Sequence, residues 1–337
     1  MEAPLPLLPL DLVVAEILSR LDSRCVARSV CHAAASDITM TGVRDRVALL
    51  RGDAVRWAAE HAGLRDHGAS AARVFAAAGL TAELREAVEG GCRMCVSTCS
   101  SAADGGHLAT LQWAHAAGCP WDEQTCSAAA AGGHLATLKW ARDRGCPWDK
   151  YTCTYAAYCG RMDALKWARG AGCPWDEGTC GMAAIGGHLD VLQWARDEGC
   201  PWDEQTCSRA AAAGHLEILQ WARSAGCPWD REVCSGAAQN GHLETLKWAF
   251  AEGCPMDEMT CSGAAYGGHL EILKWAHAAG CPWDYMTTGH AALHGRLDML
   301  RWARGRGCPW DAYTFSLAVR GGHRETVEWL RAAGCPT

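Results

Sequence analysis

The stretch that decides the fold covers residues 133–158 and reads GHLATLKWARDRGCPWDKYTCTYAAY. Apolar residues at helical spacing predict a helix over about residues 134–144. Gly145 fits the left-handed conformation that commonly ends a helix, and the proline two residues later blocks its continuation. Asp149 has a side chain that accepts hydrogen bonds from the free N–H groups at a helix start, which predicts a second helix over about residues 150–158. The stretch therefore predicts two short helices joined by the sequence Cys-Pro-Trp-Asp.

The same pattern returns every 27 residues along most of the chain. A tryptophan series shows the period: Trp113, Trp140, Trp167, Trp194, Trp221, Trp248, Trp275, Trp302 and Trp329. A cysteine series runs in parallel: Cys119, Cys146, Cys173, Cys200, Cys227, Cys254, Cys281, Cys308 and Cys335. A second cysteine series stops before the last two units: Cys99, Cys126, Cys153, Cys180, Cys207, Cys234 and Cys261. Such a period is typical of a stacked array whose units bury their apolar faces against neighbouring units.

The repeat accounts for the composition and sets the fold class. The chain has 21 cysteines, 17 tryptophans and 37 glycines among 337 residues, and most of them occupy fixed places in the unit. We therefore predict an all-α fold, a helical solenoid of short two-helix repeats. The aspartate before the first helix of each unit, Asp203 for example, is predicted to cap that helix. The tryptophans lie on the broad apolar arc of the second helix, so we expect them in the core.

Charge and hydropathy exclude several classes of protein. The net charge of −7 argues against nucleic-acid binding, which needs a basic surface for phosphates. The sequence has no apolar run of 18 residues, so we expect no membrane span. Its first residues lack the basic region of a signal peptide, so we expect a cytoplasmic protein with reduced cysteines. We also expect the protein to be monomeric on its own.

The repeated unit resembles the ankyrin-repeat family over about residues 70–337. The matching core is Thr-Cys-x-x-Ala-Ala-x-x-Gly-His-Leu-x-x-Leu-x-Trp-Ala-x-x-x-Gly-Cys. The family unit has about 33 residues, and the shortfall falls where the family carries a β-hairpin finger. The four-residue connection is too short for a hairpin, so we predict repeats without β-hairpin fingers. Residues 41–69 are predicted to form a degenerate repeat or linker helices.

The N-terminal segment, residues 1–40, has a different pattern. Residues 8–21 read LPLDLVVAEILSRL, and Val-Cys follows at residues 30–31. This resembles the F-box family, although the segment is shorter by about two residues and lacks the usual tryptophan after Val-Cys. The resemblance implies binding to the Skp-type adaptor of a cullin ubiquitin ligase. The residues that would contact the adaptor are Leu8, Pro9, Ile17 and Leu18. Alternatively, the segment forms an amphipathic helix that only caps the array.

Cysteine recurs in every clear unit and histidine in most of them, but they do not form a convincing metal or catalytic pattern. Structural zinc favours close cysteine pairs, and the chain has one such pair, Cys92 and Cys95. One copy per unit is typical of packing, because cysteine behaves as a small hydrophobic residue. We predict neither zinc ligands nor a disulfide framework, no cofactor and no catalysis. The histidine of Gly-His-Leu is predicted to bond backbone groups between units, while His290 and His294 are irregular and receive no role.

Partner recognition is expected where the units differ. The positions three and six residues after the repeated threonine vary most. Aromatic residues, Met and Arg are enriched at protein interfaces, so these residues are predicted to bind a partner: Tyr155, Tyr158, Met182, Ile185, Arg209 and Tyr266. The alternative is that varied positions are merely tolerant and solvated.

Two functions follow from the sequence, and both require an unidentified target protein. In the first, the chain is a substrate receptor that joins a ubiquitin ligase to its target. In the second, it is a plain interaction scaffold with a capped end.

Overall fold

The computed structural model describes the backbone of residues 67–337 and the side chains from Ala72 onward. The F-box-like segment lies outside these residues, so Leu8, Pro9, Ile17 and Leu18 remain a sequence-based prediction. The predicted boundary at residue 70 falls at the margin of the described residues and also stays a prediction. The described residues divide into two compact units, the first ending at Trp148 and the second covering Asp149–Thr337.

The described part of the first unit consists of six helices. They are α1 (His67–Ala77), α2 (Thr81–Glu89), α3 (Val96–Asp104), α4 (Leu108–Ala116), α5 (Glu123–Gly132) and α6 (Leu135–Asp143). The odd-numbered helices are the first of each repeat and are called A helices; the even-numbered ones are called B helices.

The second unit consists of fourteen helices in the same alternation. They are α7 (Lys150–Tyr158), α8 (Met162–Gly170), α9 (Glu177–Ile185), α10 (Leu189–Asp197), α11 (Glu204–Ala212), α12 (Leu216–Ser224), α13 (Glu232–Asn240), α14 (Leu243–Ala251), α15 (Glu258–Gly267), α16 (Leu270–Ala278), α17 (Tyr285–Leu293), α18 (Leu297–Gly305), α19 (Ala312–Gly321) and α20 (Arg324–Ala332). Between residues 67 and 337 the chain forms no β-strand. The predicted all-α repeat array without β-hairpin fingers is therefore confirmed for this range.

Packing within each unit follows the repeat. Each A helix packs against the next A helix and against the B helix of its own repeat. The centre is filled by leucines of the B helices, such as Leu192, and by alanine pairs of the A helices, such as Ala183 and Ala184, all fully buried. Burying a leucine side chain contributes roughly 1.5–3 kcal/mol. The alanines allow consecutive A helices to approach closely.

The predicted aspartate caps are present. Asp203 precedes α11, and its carboxylate accepts a hydrogen bond from the Gln205 N–H at 3.1 Å. The same arrangement starts the A helices that follow these residues: Asp122, Asp149, Asp176, Asp257 and Asp284. At α19 the Asp311 carboxylate accepts instead from the Thr314 N–H at 3.1 Å. Asp230 departs slightly, because α13 begins one residue later, although its carboxylate still accepts from the Glu232 N–H at 2.9 Å.

The tryptophans are not in the core, so that prediction was wrong. Trp140 and Trp194 are half-buried, whereas Leu138 and Leu192 are fully buried. Each tryptophan follows its leucine by two residues, which is about 200° around a helix. When the leucine faces the A helices, the indole must therefore lie near the outer side of the B helix.

Candidate interaction surfaces

Thiols fix the spacing between consecutive repeats. The Cys173 Sγ donates to the carbonyl oxygen of Asp149 at 3.3 Å, 24 residues earlier. The same bond, at 3.1–3.4 Å, is made in the second unit by Cys200, Cys227, Cys254, Cys281, Cys308 and Cys335. These cysteines are therefore hydrogen-bond donors as well as small apolar residues. The sequence-based interpretation recognised only the second property.

The two cysteine series meet in buried pairs. The hydrogen bond with Cys173, together with burial, raises the pKa of Cys153 well above that of an ordinary thiol. Cys180 and Cys207 have raised pKa values for the same reasons, with Cys200 and Cys227 as partners. The same hydrogen bond lowers the pKa of the partner Cys173. Within these pairs, it is Cys153, Cys180 and Cys207 that are therefore held protonated, which makes them poor nucleophiles and poor metal ligands.

The described cysteines are free thiols. No cluster of three or more His, Cys, Asp or Glu side chains suited to a metal ion occurs in the part of the chain with placed side chains. Elemental analysis and treatment with reductant test the prediction that the cysteines form neither zinc sites nor a disulfide framework.

Histidines bond the backbone between repeats, as predicted. The His107 Nε2 lies 3.1 Å from the carbonyl oxygen of Ala77, thirty residues earlier, so an Nε2–H can donate to it. His188 makes the corresponding backbone hydrogen bond to Tyr158, and burial lowers the pKa of His188. The ring lies against Gly160, whose φ is 65°, and a Cβ there would lie 2.6 Å from the imidazole. The histidine ring of one repeat therefore packs on a glycine of the preceding repeat. We call this histidine–glycine contact the joint between repeats.

The six residues predicted to bind a partner lie on four A helices of the second unit, three of them consecutive. Tyr155 and Tyr158 are on α7, Met182 and Ile185 on α9, and Arg209 on α11, and these helices pack in that order. We call the surface formed by these five residues and Tyr266 the A-helix face. All five are partly exposed, and the Tyr155 ring stacks on that of Tyr151 at 6.0 Å between centroids.

Tyr266 lies on α15, separated from Arg209 by the intervening helix α13. Its side chain is 44% exposed. Between them, Gly236 stands at the position three residues after the repeated threonine, and the exposed Gln239 stands at the position six residues after it. The A-helix face thus has a Tyr-Met-Ile-Arg group at one end and Tyr266 beyond a glycine and a glutamine of α13.

The structure gives an account of His290 and His294. The His290 Nδ1 lies 3.0 Å from the carbonyl oxygen of Ser262. Tyr266 meets the ring of His290 at 5.4 Å and that of His294 at 4.8 Å, edge to face in both cases. The two histidines therefore orient Tyr266 at the end of the A-helix face.

Sequence reasoning missed a second surface, which we call the B-helix face. It consists of the tryptophans of the B helices, the tryptophans of the Cys-Pro-Trp-Asp loops and the arginines that stack on the loop tryptophans. In the second unit, Arg169 stacks over Trp175 at 4.4 Å, and the edge of Trp175 meets Trp194 at 5.9 Å. Equivalent arginine–tryptophan stacks at 4.1–4.4 Å are Arg196 on Trp202, Arg223 on Trp229 and Arg304 on Trp310. The signal was present in the sequence, since an arginine or histidine precedes most of the loop tryptophans by six residues.

None of the helices between residues 67 and 337 is both long and apolar enough to cross a bilayer.

Comparison with known proteins gives only distant structural likenesses. No family model and no curated protein matches the sequence. The human ASB11 ankyrin repeat domain is similar over 47% of this chain and 84% of its own length, with 14% identity and a TM-score of 0.39. The pentatricopeptide repeat protein PPR10, solved with an 18-nucleotide psaJ RNA element, is similar over 97% of this chain and 62% of its own, with 16% identity and a TM-score of 0.41. The assignment of this chain to the helical repeat proteins therefore rests on its own repeated helix pairs.

Proposed function

We propose that the chain is a non-catalytic interaction protein of the ankyrin-like type and that it binds a target protein through the A-helix face. The observation that carries the proposal is the contrast within each repeat. Core, capping and joint positions repeat almost unchanged, whereas the partly exposed positions of the A-helix face differ from unit to unit. A surface of varied side chains on a constant frame can discriminate between partners.

The chemistry of the A-helix face supports a protein partner. Tyr155, Tyr158 and Arg209 belong to the residue types that most often carry binding energy at protein interfaces. Their backbones are held in the stack of A helices, so little backbone entropy is lost when a partner binds. Two tyrosines and Met182 on adjacent helices provide one contiguous anchor region.

The test is a comparison of recovered partners. Protein carrying Tyr155→Ala and Tyr158→Ala is compared with the parent in pull-downs from cells that express the protein. The matched control carries Tyr285→Ala and Tyr313→Ala, which removes two exposed tyrosines outside the A-helix face. We expect the control to retain the parent's partners and the first variant to lose them. Equal recovery by both variants would place the binding face elsewhere.

We further propose a substrate-receptor role, supported by the F-box resemblance of residues 1–40. In this role the adaptor is a Skp-type protein bound through Leu8, Pro9, Ile17 and Leu18. A plain scaffold with a capping N-terminal segment is the alternative. Pro9→Ala combined with Ile17→Asp should abolish co-purification with the adaptor while leaving target binding intact. If the parent itself recovers no Skp-type adaptor, the scaffold function stands.

A further inference from the structure

A recess opens between α8 and α10 on the B-helix face. It is an open recess with a volume of about 690 Å³. It is lined by Lys166, Arg169, Gly170, Gly172, Trp194 and Glu198. The lining thus combines two cations, one indole and one carboxylate.

Both cations at the recess lie over indole rings. The Lys166 Nζ lies 5.7 Å from the centre of the Trp194 ring, and Arg169 stacks on Trp175 at 4.4 Å. Trp175 in turn meets Trp194 at 5.9 Å, and an Nη1–H of Arg169 donates to the Cys173 carbonyl at 3.4 Å. Because the stack and the hydrogen bond already position Arg169, less side-chain entropy is lost there when an anion binds.

Lys166 is not neutralised by a neighbouring carboxylate. On α14 and α16 the lysines at its position, Lys247 and Lys274, form 2.8 Å ion pairs with a glutamate three residues earlier. Helix α8 carries the shorter Asp163 at the glutamate position, and within residues 72–337 Lys166 makes no ion pair. Its charge is available to a ligand.

The same arrangement recurs between α18 and α20, five repeats later. Arg301 lies over Trp329 at 5.9 Å, Arg304 stacks on Trp310 at 4.3 Å, and the two indoles meet at 5.8 Å. Gly305 stands at the position of Gly170. Both glycines leave open space where a Cβ would meet no atom within 4 Å.

Other B helices carry a different set at these positions. On α10, Gln193 replaces the first cation and Asp197 replaces the glycine. The residues between α18 and α20 differ from those of the recess at one place, because Ala333 stands where the recess has Glu198. Two cations, an indole and a glycine therefore occur together at two places in the second unit, between α8 and α10 and between α18 and α20.

We propose that this recess and the equivalent residues between α18 and α20 bind phosphotyrosine side chains of a partner protein. The two cations of each site balance the charge of a phosphate monoester, which is close to −2 at neutral pH. The indole provides an aromatic wall for the phenyl ring. Since Glu198 repels the phosphate, the α8–α10 recess is the weaker site, and the α18–α20 site, which has Ala333 instead, is the stronger.

The test uses phosphotyrosine itself as the probe, so it is independent of the A-helix face. Full-length protein labelled with ¹⁵N-tryptophan is titrated, and the indole N–H signals of Trp194 and Trp329 are followed by NMR. We expect saturable shifts of both signals with phosphotyrosine, at a lower concentration for Trp329, and none with tyrosine. Equal response to tyrosine, or tighter binding of adenosine monophosphate, would overturn the proposal.

Three variants assign the effect to each site. Lys166→Gln copies the residue of α10 and should weaken binding at Trp194 about tenfold while leaving Trp329 unchanged. Arg301→Gln should do the reverse. Glu198→Ala copies the residue of the stronger site and should tighten binding at Trp194, a gain that misfolding cannot produce. If none of the three changes the binding constants, phosphotyrosine does not bind at these sites.

Discussion

The Cys227 thiol donates a hydrogen bond to the backbone carbonyl of Asp203 at 3.4 Å, while the Asp203 carboxylate caps α11. One aspartate therefore joins its own helix start to the end of the next repeat. The carbonyl also accepts the Thr206 N–H at 3.1 Å, within the first turn of α11. The same residue therefore caps its own helix and contacts the next repeat, which explains why an aspartate recurs at this position in successive repeats.

Loss of the cap should lower stability measurably. Asp203→Ala removes the acceptor for the Gln205 N–H, and we expect the free energy of unfolding to fall by about 1 kcal/mol. Asp203→Asn should lose less, because asparagine also caps helices. Urea denaturation followed by circular dichroism measures both. Asp197→Ala, at the exposed end of α10, is the control. An effect of Asp197→Ala as large as that of Asp203→Ala would contradict the capping role.

The thiols should require neither metal nor oxidation. Cys207 and Cys227 are buried, and a hydrogen bond between them together with burial raises the pKa of Cys207. Metal binding needs the thiolate, so elemental analysis of the purified protein should find substoichiometric zinc. Reductant should leave the helical circular-dichroism signal unchanged. Stoichiometric zinc, or unfolding by a chelator, would show that the cysteines are ligands.

The features predicted correctly from the sequence are local ones. The 27-residue period, the cap at Asp203 and the left-handed glycine at the end of each B helix depend on residues close together in the chain. The position of Trp194 was mispredicted because a broad apolar arc does not reveal which side the A helices cover. The recess depends on Lys166 and Trp194, which come from different repeats, and only the packing of B helices brings them together.

Stability should fall as the pH drops from 7.5 to 5.5. Burial lowers the pKa of His188 and His242 in the folded chain, so the native state favours the neutral imidazole. The unfolded state, with a pKa of about 6.5, binds more protons in this window, and stability then rises with pH. Urea midpoints at several pH values measure the effect. His242→Gln should flatten the profile, and a parent midpoint that stays constant or rises as the pH falls would contradict the prediction.

Alanine substitutions at two glycines distinguish the cost of backbone strain from the cost of a clash between repeats. Gly187 and Gly199 both have a φ of 80°, but a Cβ on Gly187 would lie 2.8 Å from the His215 ring, whereas one on Gly199 would meet nothing within 4 Å. Gly199→Ala should therefore cost only the left-handed strain, about 1–2 kcal/mol. Gly187→Ala should cost a further 1 kcal/mol or more, roughly the penalty for overpacking.

A double-mutant cycle tests the joint between Gly187 and His215 directly. If the extra cost arises from the clash, His215→Ala should relieve it, so that Gly187→Ala in the His215→Ala background costs about as much as Gly199→Ala. The free energies come from urea denaturation of the four proteins and the Gly199→Ala control. Additive effects of Gly187→Ala and His215→Ala would mean that the imidazole does not set the requirement for glycine. A coupling of about 1 kcal/mol would establish that histidine and glycine act as one unit in holding consecutive repeats at their observed spacing.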